Sequence, residues 1–499
     1  MSKEIINLKG KDNCNIEIWF YLAVILISSS CKKLVETPPP TSNITEANVF
    51  STDATAIATI NNLYIGMNSV EHSNPIQGAR SISLLTGISA DEYTLFSGVT
   101  GIEFVHYYEN ALSGTLRTGS DKWAPLYNYV FKCNAAIEAF TSEKSNALTV
   151  NVKRQLLGEA QMLRAYFYFN LVNMFGEIPL CLVTDPQVNT SLARSSKDLV
   201  YQQIIADLQS AEENLSNDYL NGDLSSVTIE RVRPTKWAAI ALLARVYLYI
   251  EDWENAEAKA TQIINYISLF GPLPSLNNVF LKNSREAIWQ LQPTSIDFNT
   301  TEAQTLILPA SGSNIYNNPV YLSDALLSSF EDDDERVVNG NWINSVTVSG
   351  TSYFYPYKYK VSNSPGVTDA SGMTEYFMML RLGEQYLIRA EARTQLNNIG
   401  GAQTDLNAIR NRAGLSNTSA FDRVSLLTAI MIERQHELFT EGAHRWFDLK
   451  RTGDVDSVMT SVTPLKSGGS TIWESYQQLY PIPESELQKA PNLTQNPGY

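Results

Sequence analysis

The chain has 499 residues, of which 44% are hydrophobic, enough for one large domain or for two to three ordinary ones with a sizeable core. Its formal net charge is -15, and its basic residues form no long run. Because a phosphate backbone is bound by clustered lysine and arginine, this balance argues against a nucleic-acid-binding protein.

The N-terminal residues contain an apolar run, residues 18–27, that ends shortly before Cys31. About ten apolar residues are too few to span a membrane, which takes about 20, but they are typical of the core of a signal peptide. We predict a lipoprotein signal peptide over residues 1–30, with Cys31 as the lipidated residue after cleavage. The alternatives are an ordinary signal peptide or a buried first helix.

Residues 31–43 include three consecutive prolines and are predicted to form an extended tether. Two cysteines, Cys133 and Cys181, remain further along the chain, each in an apolar context. We expect them to be buried free thiols and not to form a disulfide.

Helical periodicity begins after a predicted cap at Thr52 or Asp53 and recurs at 123–140, 152–175, 195–215 and 234–250. Two stretches also share a pattern of small and large residues. The alanine pairs that mark them, Ala244 with Ala256 and Ala390 with Ala402, are both separated by twelve residues. This pattern predicts a tetratricopeptide-like repeat, although any two antiparallel helices with alanine contacts could match it.

Two segments, 69–118 and 272–373, interrupt the helical rhythm. Both are rich in aromatic residues and in small polar residues, and the second contains short β-like runs near residues 287–291, 345–348 and 353–359. Long irregular segments of a compact domain usually serve a function, because rigid scaffolds tend to carry recognition loops.

Three further helices are predicted between residues 379 and 453, at 381–395, 402–412 and 426–439. Gly400 and Gly401 are predicted to stop the first of them, and Gly414 to cap the second. After the third helix, we expect the proline-containing tail, 456–499, to be irregular.

The run Glu433-Arg-Gln-His-Glu-Leu-Phe-Thr-Glu-Gly-Ala-His-Arg-Trp-Phe-Asp-Leu-Lys-Arg resembles the signature of the SusD/RagB family of outer-membrane nutrient-binding lipoproteins. The stretches that begin at Arg381, Leu406 and Tyr480 are similar to the same family. The resemblance implies a mostly α fold, in which a tetratricopeptide-like helical-repeat scaffold carries long loop-rich insertions with short strands.

On this basis we expect a single domain over 44–499. Its helical scaffold would comprise 44–270 and 374–455, with a loop-rich insertion at 271–373 and an irregular tail at 456–499. The resemblance also implies a lipid-anchored position on the outer membrane, facing the cell exterior. The implied partner is a TonB-dependent, SusC-like transporter, over which the protein would form a lid.

No catalytic or metal-binding motif stands out in the sequence. His436 and His444 are eight residues apart, which on a helix is about 12 Å of rise and too far for one metal ion. The acidic run from Glu331 to Glu335 is interpreted as a solvated turn, because it lacks the ligand spacing of a calcium loop. We therefore expect no enzyme, cofactor or metal, although paired catalytic carboxylates could be hidden among the 52 Asp and Glu residues.

Sugar rings have apolar faces and polar rims, so a glycan site needs aromatic platforms beside amide and hydroxyl groups. The candidate platforms from the two irregular segments are Phe96, Tyr107, Tyr108, Tyr316, Trp342 and Tyr353. For any one of them the alternative is core packing.

We predict a nutrient-binding protein whose ligand is an oligosaccharide. The alternatives are a peptide-binding component like RagB, a secreted glycan-active enzyme, and a cytosolic tetratricopeptide scaffold.

Overall fold

The computed structural model describes residues 50–69, 74–294, 297, 299–363, 366–367 and 369–499. The predicted signal peptide, the Cys31 lipidation site and the tether lie outside these residues. The α-helices described are α1 (Asp53–Met67), α2 (Ile82–Ser89), α3 (Ile102–Tyr108), α4 (Trp123–Thr141), α5 (Val150–Phe175), α6 (Pro186–Thr190), α7 (Lys197–Asn214), α8 (Lys236–Tyr249), α9 (Trp253–Ile264), α10 (Thr301–Leu306), α11 (Asp324–Leu327), α12 (Leu382–Gln395), α13 (Ile399–Arg412), α14 (Arg423–Leu438), α15 (His444–Thr452), α16 (Val455–Lys466) and α17 (Glu484–Lys489). The strands are β1 (Tyr93–Leu95), β2 (Ala287–Leu291), β3 (Val320–Leu322), β4 (Ile343–Val348), β5 (Thr351–Pro356) and β6 (Phe377–Arg381).

The long helices form a continuous stack. Helix α4 packs on α5, α5 on α7, α7 on α8, α8 on α9, and α9 on α12, which also contacts α13 and α14. The alanines of both predicted repeats, Ala244, Ala256, Ala390 and Ala402, are completely buried where helices approach each other. The predicted fold class is confirmed: the chain is mostly helical, with pairs α8–α9 and α12–α13 at the two repeats.

The strands described pair into three two-stranded antiparallel sheets. Strands β4 and β5 form a hairpin within the second irregular segment, and β2 pairs with β6 at the start of α12. Strand β1 pairs with β3, with Tyr93 opposite Leu322. This last sheet matters most for the site, because it joins the first irregular segment to the second.

Three local predictions differ from the structure. Helix α12 ends at Gln395, as predicted, but Gly400 and Gly401 do not stop it, because they lie in the first turn of α13. That turn is stabilised by Asn398, whose side-chain oxygen accepts a hydrogen bond from the Gly401 amide at 3.1 Å. Residues 456–466, expected to be irregular, form most of α16, and segment 69–118 contains the short helices α2 and α3.

The SusD/RagB-like signature forms a buried ion-pair cluster with the loop-rich insertion. Arg381 lies 2.7 Å from Glu286 and 2.5 Å from Glu437, while Arg336 lies 2.7 Å from Glu433. All five side chains are almost completely buried. Because a buried charge is tolerated only when it is paired, this cluster fixes the insertion against α14.

The acidic run 331–335 and the second half of the signature also form ion pairs. Asp334 is buried and lies 2.7 Å from Arg336, so this residue of the run does not belong to the solvated turn we predicted. Arg445 lies 2.6 Å from Asp91, and Asp448 lies 2.8 Å from Arg434. Arg445 and Asp448 therefore pair with side chains from other segments of the chain.

The two cysteines in the described part of the chain are free, as predicted. Cys133 is buried in α4, and Cys181 is partly buried. Burial raises the pKa of the Cys181 thiol to about 11, which favours its protonated form at neutral pH.

Candidate functional site

The two irregular segments meet and enclose a groove of about 550 Å³. Two backbone hydrogen bonds accompany the β1–β3 pairing: the Phe96 amide donates to the Pro319 carbonyl at 2.8 Å, and the Ser323 amide donates to the Glu92 carbonyl at 3.0 Å. The groove is lined by Gln77, Gly78, Ala79, Arg80, Phe104, Thr301, Gln304, Thr305, Ile307, Leu308, Pro309, Tyr316, Asn317, Asn318 and Ser362.

The floor of the groove is held by hydrogen bonds between residues more than 200 positions apart. The Thr301 hydroxyl donates to the Gln77 side-chain carbonyl at 2.9 Å. The Gly78 amide donates to the Glu302 carboxyl at 3.1 Å. Burial raises the pKa of Glu302 to about 7, despite that hydrogen bond. The floor is thus a connected polar layer that keeps the two segments in register.

One wall of the groove is a loop shaped by two asparagines. The Asn318 side-chain amide donates to the Thr305 carbonyl at 2.8 Å and to the Ile307 carbonyl at 3.1 Å. The Asn314 side-chain oxygen accepts from the Tyr316 amide at 3.0 Å. Asparagine commonly stabilises turns in this way. As a result the Tyr316 side chain is held at the loop tip, where it is 83% exposed.

The rim carries groups that can hydrogen-bond a polar ligand. Gln304 and Asn317 are exposed amides, and Phe104 on α3 is a partly exposed ring. The Arg80 side chain is 36% exposed and lies 2.6 Å from Glu103. Among the lining residues described, Arg80 is the only charged one. Amides, a guanidinium and two rings together can hydrogen-bond hydroxyl groups and stack on apolar faces.

Beside the groove lies an aromatic surface formed by Phe96, Tyr108, Tyr321 and Tyr353, all of them partly exposed. The rings of Tyr321 and Tyr353 meet edge to face, with centroids 5.1 Å apart. Tyr108 follows Phe104 by four residues on α3, so both lie on one face of that helix and connect the aromatic surface to the groove.

Comparisons with known proteins decide the family. Residues 43–248 match the model described as "Starch-binding associating with outer membrane", and residues 289–499 match the model of the SusD family. The chain belongs to the SusD/RagB family. Proteins of this family bind ligands and are not catalysts, so the chain is a binding protein and not an enzyme.

Individual SusD/RagB relatives cover nearly the whole chain. SusD-like protein P25 of Formosa agariphila is 24% identical, over 96% of this chain and 98% of its own length. A SusD superfamily protein from Bacteroides vulgatus superposes with a TM-score of 0.74 at 18% identity, covering 90% of this chain and 99% of that one. A structure described as a laminarin-binding SusD-like protein has a TM-score of 0.67 at 22% identity, covering 90% of this chain and 100% of that one. At these identities the solved structures establish the fold.

Two of the six predicted platform residues of this SusD/RagB protein must be withdrawn. Tyr107 is completely buried: its hydroxyl donates to Asp121 at 2.6 Å and its ring packs edge to face on Tyr480. Trp342 is also completely buried, and its indole nitrogen donates to the Leu276 carbonyl at 2.9 Å. Neither ring has a face available to a ligand.

The other four candidates are accessible. Tyr316 lines the groove, and Phe96, Tyr108 and Tyr353 belong to the aromatic surface. The structure thus brings four predicted residues from two distant segments to one side of the SusD/RagB fold. Their contact with a ligand stays a prediction.

Several lining residues were missed by sequence reasoning. Phe104 had a usable signal, because it lies one helical turn before Tyr108. Arg80 and Asn317 had none, because polar residues in loops carry no periodicity, and Gln304 had none, because its helix α10 has only six residues. Only the folded chain gathers these three side chains.

The two signature histidines are structural. His436 is buried with its Nε2 3.0 Å from the Ser329 hydroxyl, and His444 is buried against Glu384. In the residues that the structure describes, no group of three or more His, Cys, Asp or Glu side chains could hold a metal ion. Within the same residues no helix is both long enough and apolar enough to cross a membrane.

Proposed function

We propose that this protein is a lipid-anchored binding protein of the outer membrane, facing the cell exterior. It binds an oligosaccharide in the groove and delivers it to a TonB-dependent, SusC-like transporter. The family model over residues 43–248 carries starch binding and outer-membrane association in its description, and one structural relative is described as laminarin-binding. Both descriptions support a glycan as the ligand class.

The observation that carries the proposal is the convergence of both irregular segments on one groove. Tyr316 offers an exposed ring, and Phe104 offers a second ring from the opposite segment. Gln304 and Asn317 add amide donors and acceptors to the lining of the same groove. A sugar chain needs this combination, because its rings alternate apolar faces with hydroxyl rims.

A glycan array followed by calorimetry tests the ligand class. For the glycan that binds, Tyr316→Ala and Phe104→Ala should each cost about 2 kcal/mol, roughly thirtyfold in affinity, because stacking rings act as binding hot spots. The matched control is Phe421→Ala, which removes a ring that is 75% exposed outside the groove and should leave affinity unchanged.

Full binding by both groove variants, each still folded, would place the ligand elsewhere. An array on which no glycan binds would contradict an oligosaccharide ligand and favour a peptide, the ligand of RagB-like relatives.

Delivery requires a physical partner. Purification from native membranes in gentle detergent should recover the protein together with a large β-barrel transporter. Repeated recovery of the protein alone, under conditions that preserve other membrane complexes, would contradict this part of the proposal.

A further inference from the structure

A second concavity, of about 430 Å³, adjoins the groove and shares Arg80 with it. We refer to it as the basic concavity. It is lined by Arg80, Ile102, Glu103, Leu116, Arg117, Thr118, Asp121 and Lys122. It therefore contains three cationic and two anionic side chains.

Both carboxylates of the basic concavity are already paired. Glu103 lies 2.6 Å from Arg80. Asp121 lies 2.7 Å from the Lys122 ammonium group, and its other oxygen accepts a hydrogen bond from the Tyr107 hydroxyl at 2.6 Å. Arg80 and Lys122 are thus matched by one carboxylate each, and the third cation, Arg117, is in excess.

Arg117 is exposed, and no carboxylate in the described residues lies within ion-pair distance of it. Its position is set by a tight turn in which Ser113 and Thr118 exchange two backbone hydrogen bonds of 3.1 Å. Arg117 occupies the left-handed region of that turn, with a φ of 57°. A non-glycine residue is uncommon there, so the turn gives Arg117 a defined backbone position at the lining of the basic concavity.

This local charge is opposite to that of the whole chain. The protein carries a net charge of -15, yet the basic concavity has an excess cation, and the adjoining groove contains no acidic lining residue among those described. A guanidinium forms paired, charge-assisted hydrogen bonds with carboxylate and with sulfate oxygens.

From this geometry we infer that the ligand is an anionic glycan, whose carboxylate or sulfate ester is bound by Arg117 and Arg80 in the basic concavity. The inference rests on the proposed function and narrows its substrate class. Arg80 contacts the sugar in the groove as well as the anion, whereas Arg117 contacts the anion alone.

The test is an array of neutral, uronate-containing and sulfated polysaccharides, each hit being followed by calorimetry of an oligosaccharide derived from it. For a uronate hit the matched neutral ligand is its methyl ester, and for a sulfated hit it is the desulfated form. These two arms distinguish carboxylate from sulfate. We expect the anionic form to bind about tenfold or more tightly than its neutral partner, and the difference to shrink as NaCl is added.

Arg117→Gln should lose about tenfold in affinity for the anionic ligand and nothing for the neutral form. Arg80→Gln should weaken binding of both forms. The control is Arg154→Gln, which removes an exposed arginine on α5 outside both concavities and should change neither affinity.

Hits restricted to neutral glycans would overturn the anionic inference and leave the proposed function intact. An anionic hit that binds Arg117→Gln as tightly as the wild type would overturn it too. An array with no hit in any class would contradict both proposals.

Discussion

Within the ion-pair cluster, Glu437 on α14 contacts arginines from three other segments of the chain. Its carboxylate lies 2.5 Å from Arg381 and 3.2 Å from Arg336, and it accepts a short hydrogen bond from Arg412. Burial disfavours the charged form, but these three guanidinium groups together hold the pKa of Glu437 well below its ordinary value. The three arginines therefore favour the ionised form of Glu437.

Replacing this carboxylate should be costly. We expect Glu437→Gln to lower the free energy of unfolding by about 3–5 kcal/mol, because three buried cations would lose their shared partner. The control Glu331→Gln breaks a pair with Arg410 whose glutamate side chain is 48% exposed, and it should cost less than about 1 kcal/mol. Urea unfolding measures both values, and equal losses would show that burial of the pair does not matter here.

Glu302, whose pKa is raised, should make the free energy of unfolding fall as the pH rises. Its pKa is raised by burial to about 7 in the folded protein, against about 4.3 in an unfolded chain. The stabilisation is complete below about pH 4.3 and is lost as pH rises through about 7.

Between pH 5 and pH 8 the free energy of unfolding should fall by an amount on the order of 1–3 kcal/mol. This fall should be smaller in Glu302→Gln, since the amide resembles the protonated carboxyl. Urea unfolding at pH 5 and pH 8 tests this. The control Glu486→Gln, at a partly exposed surface carboxylate, should retain the wild-type difference. An unchanged difference in Glu302→Gln would contradict the assignment. Glu92, whose pKa burial also raises to about 7, should add a change in the same direction.

At the scale of elements, the start of α13 offers a matched pair of glycines. A Cβ at Gly401 would come within 2.6 Å of the Asn398 side chain that caps the helix, whereas a Cβ at Gly400 would meet nothing within 4 Å. Gly401→Ala should therefore lower the free energy of unfolding by about 1 kcal/mol through loss of the cap.

Gly400→Ala should instead raise the free energy of unfolding by about 0.5 kcal/mol, because alanine restricts the unfolded chain. Thermal unfolding of the two variants measures the effect. Shifts of the same sign would mean that Asn398 does not cap α13.

At the scale of the whole molecule, the proposed lipid anchor would decide where the protein acts. Labelling with a radioactive fatty acid should mark the wild type and should fail with Cys31→Ala, because only a thiol at the cleaved N-terminus can carry the lipid. Cys181→Ala is the control, since it removes a free, partly buried thiol and should keep the label. Label retained by Cys31→Ala would show that the anchor has been placed on the wrong residue.

The sequence by itself determined most of the long helices and indicated the family. Helix α1 begins at the predicted cap Thr52, and the alanine pairs locate α8–α9 and α12–α13, because capping and helix contacts depend on residues three to four positions apart or on short loops. At Gly401 two local signals conflict, because a glycine can end one helix and Asn398 can cap the start of the next. Sequence analysis favoured the first, which is wrong. Local rules alone do not say whether a glycine ends one helix or lies in the first turn of the next.

Only the tertiary structure decided which residues form the groove. Tyr107 and Tyr108 are adjacent in sequence, but consecutive helical residues point about 100° apart, so one enters the core and the other reaches the surface. Gln77 and Thr301 hydrogen-bond across 224 positions, a pairing that no spacing rule predicts. Distant segments decide whether an aromatic ring is buried and which side chains surround a loop residue. Those segments come together only in the folded chain.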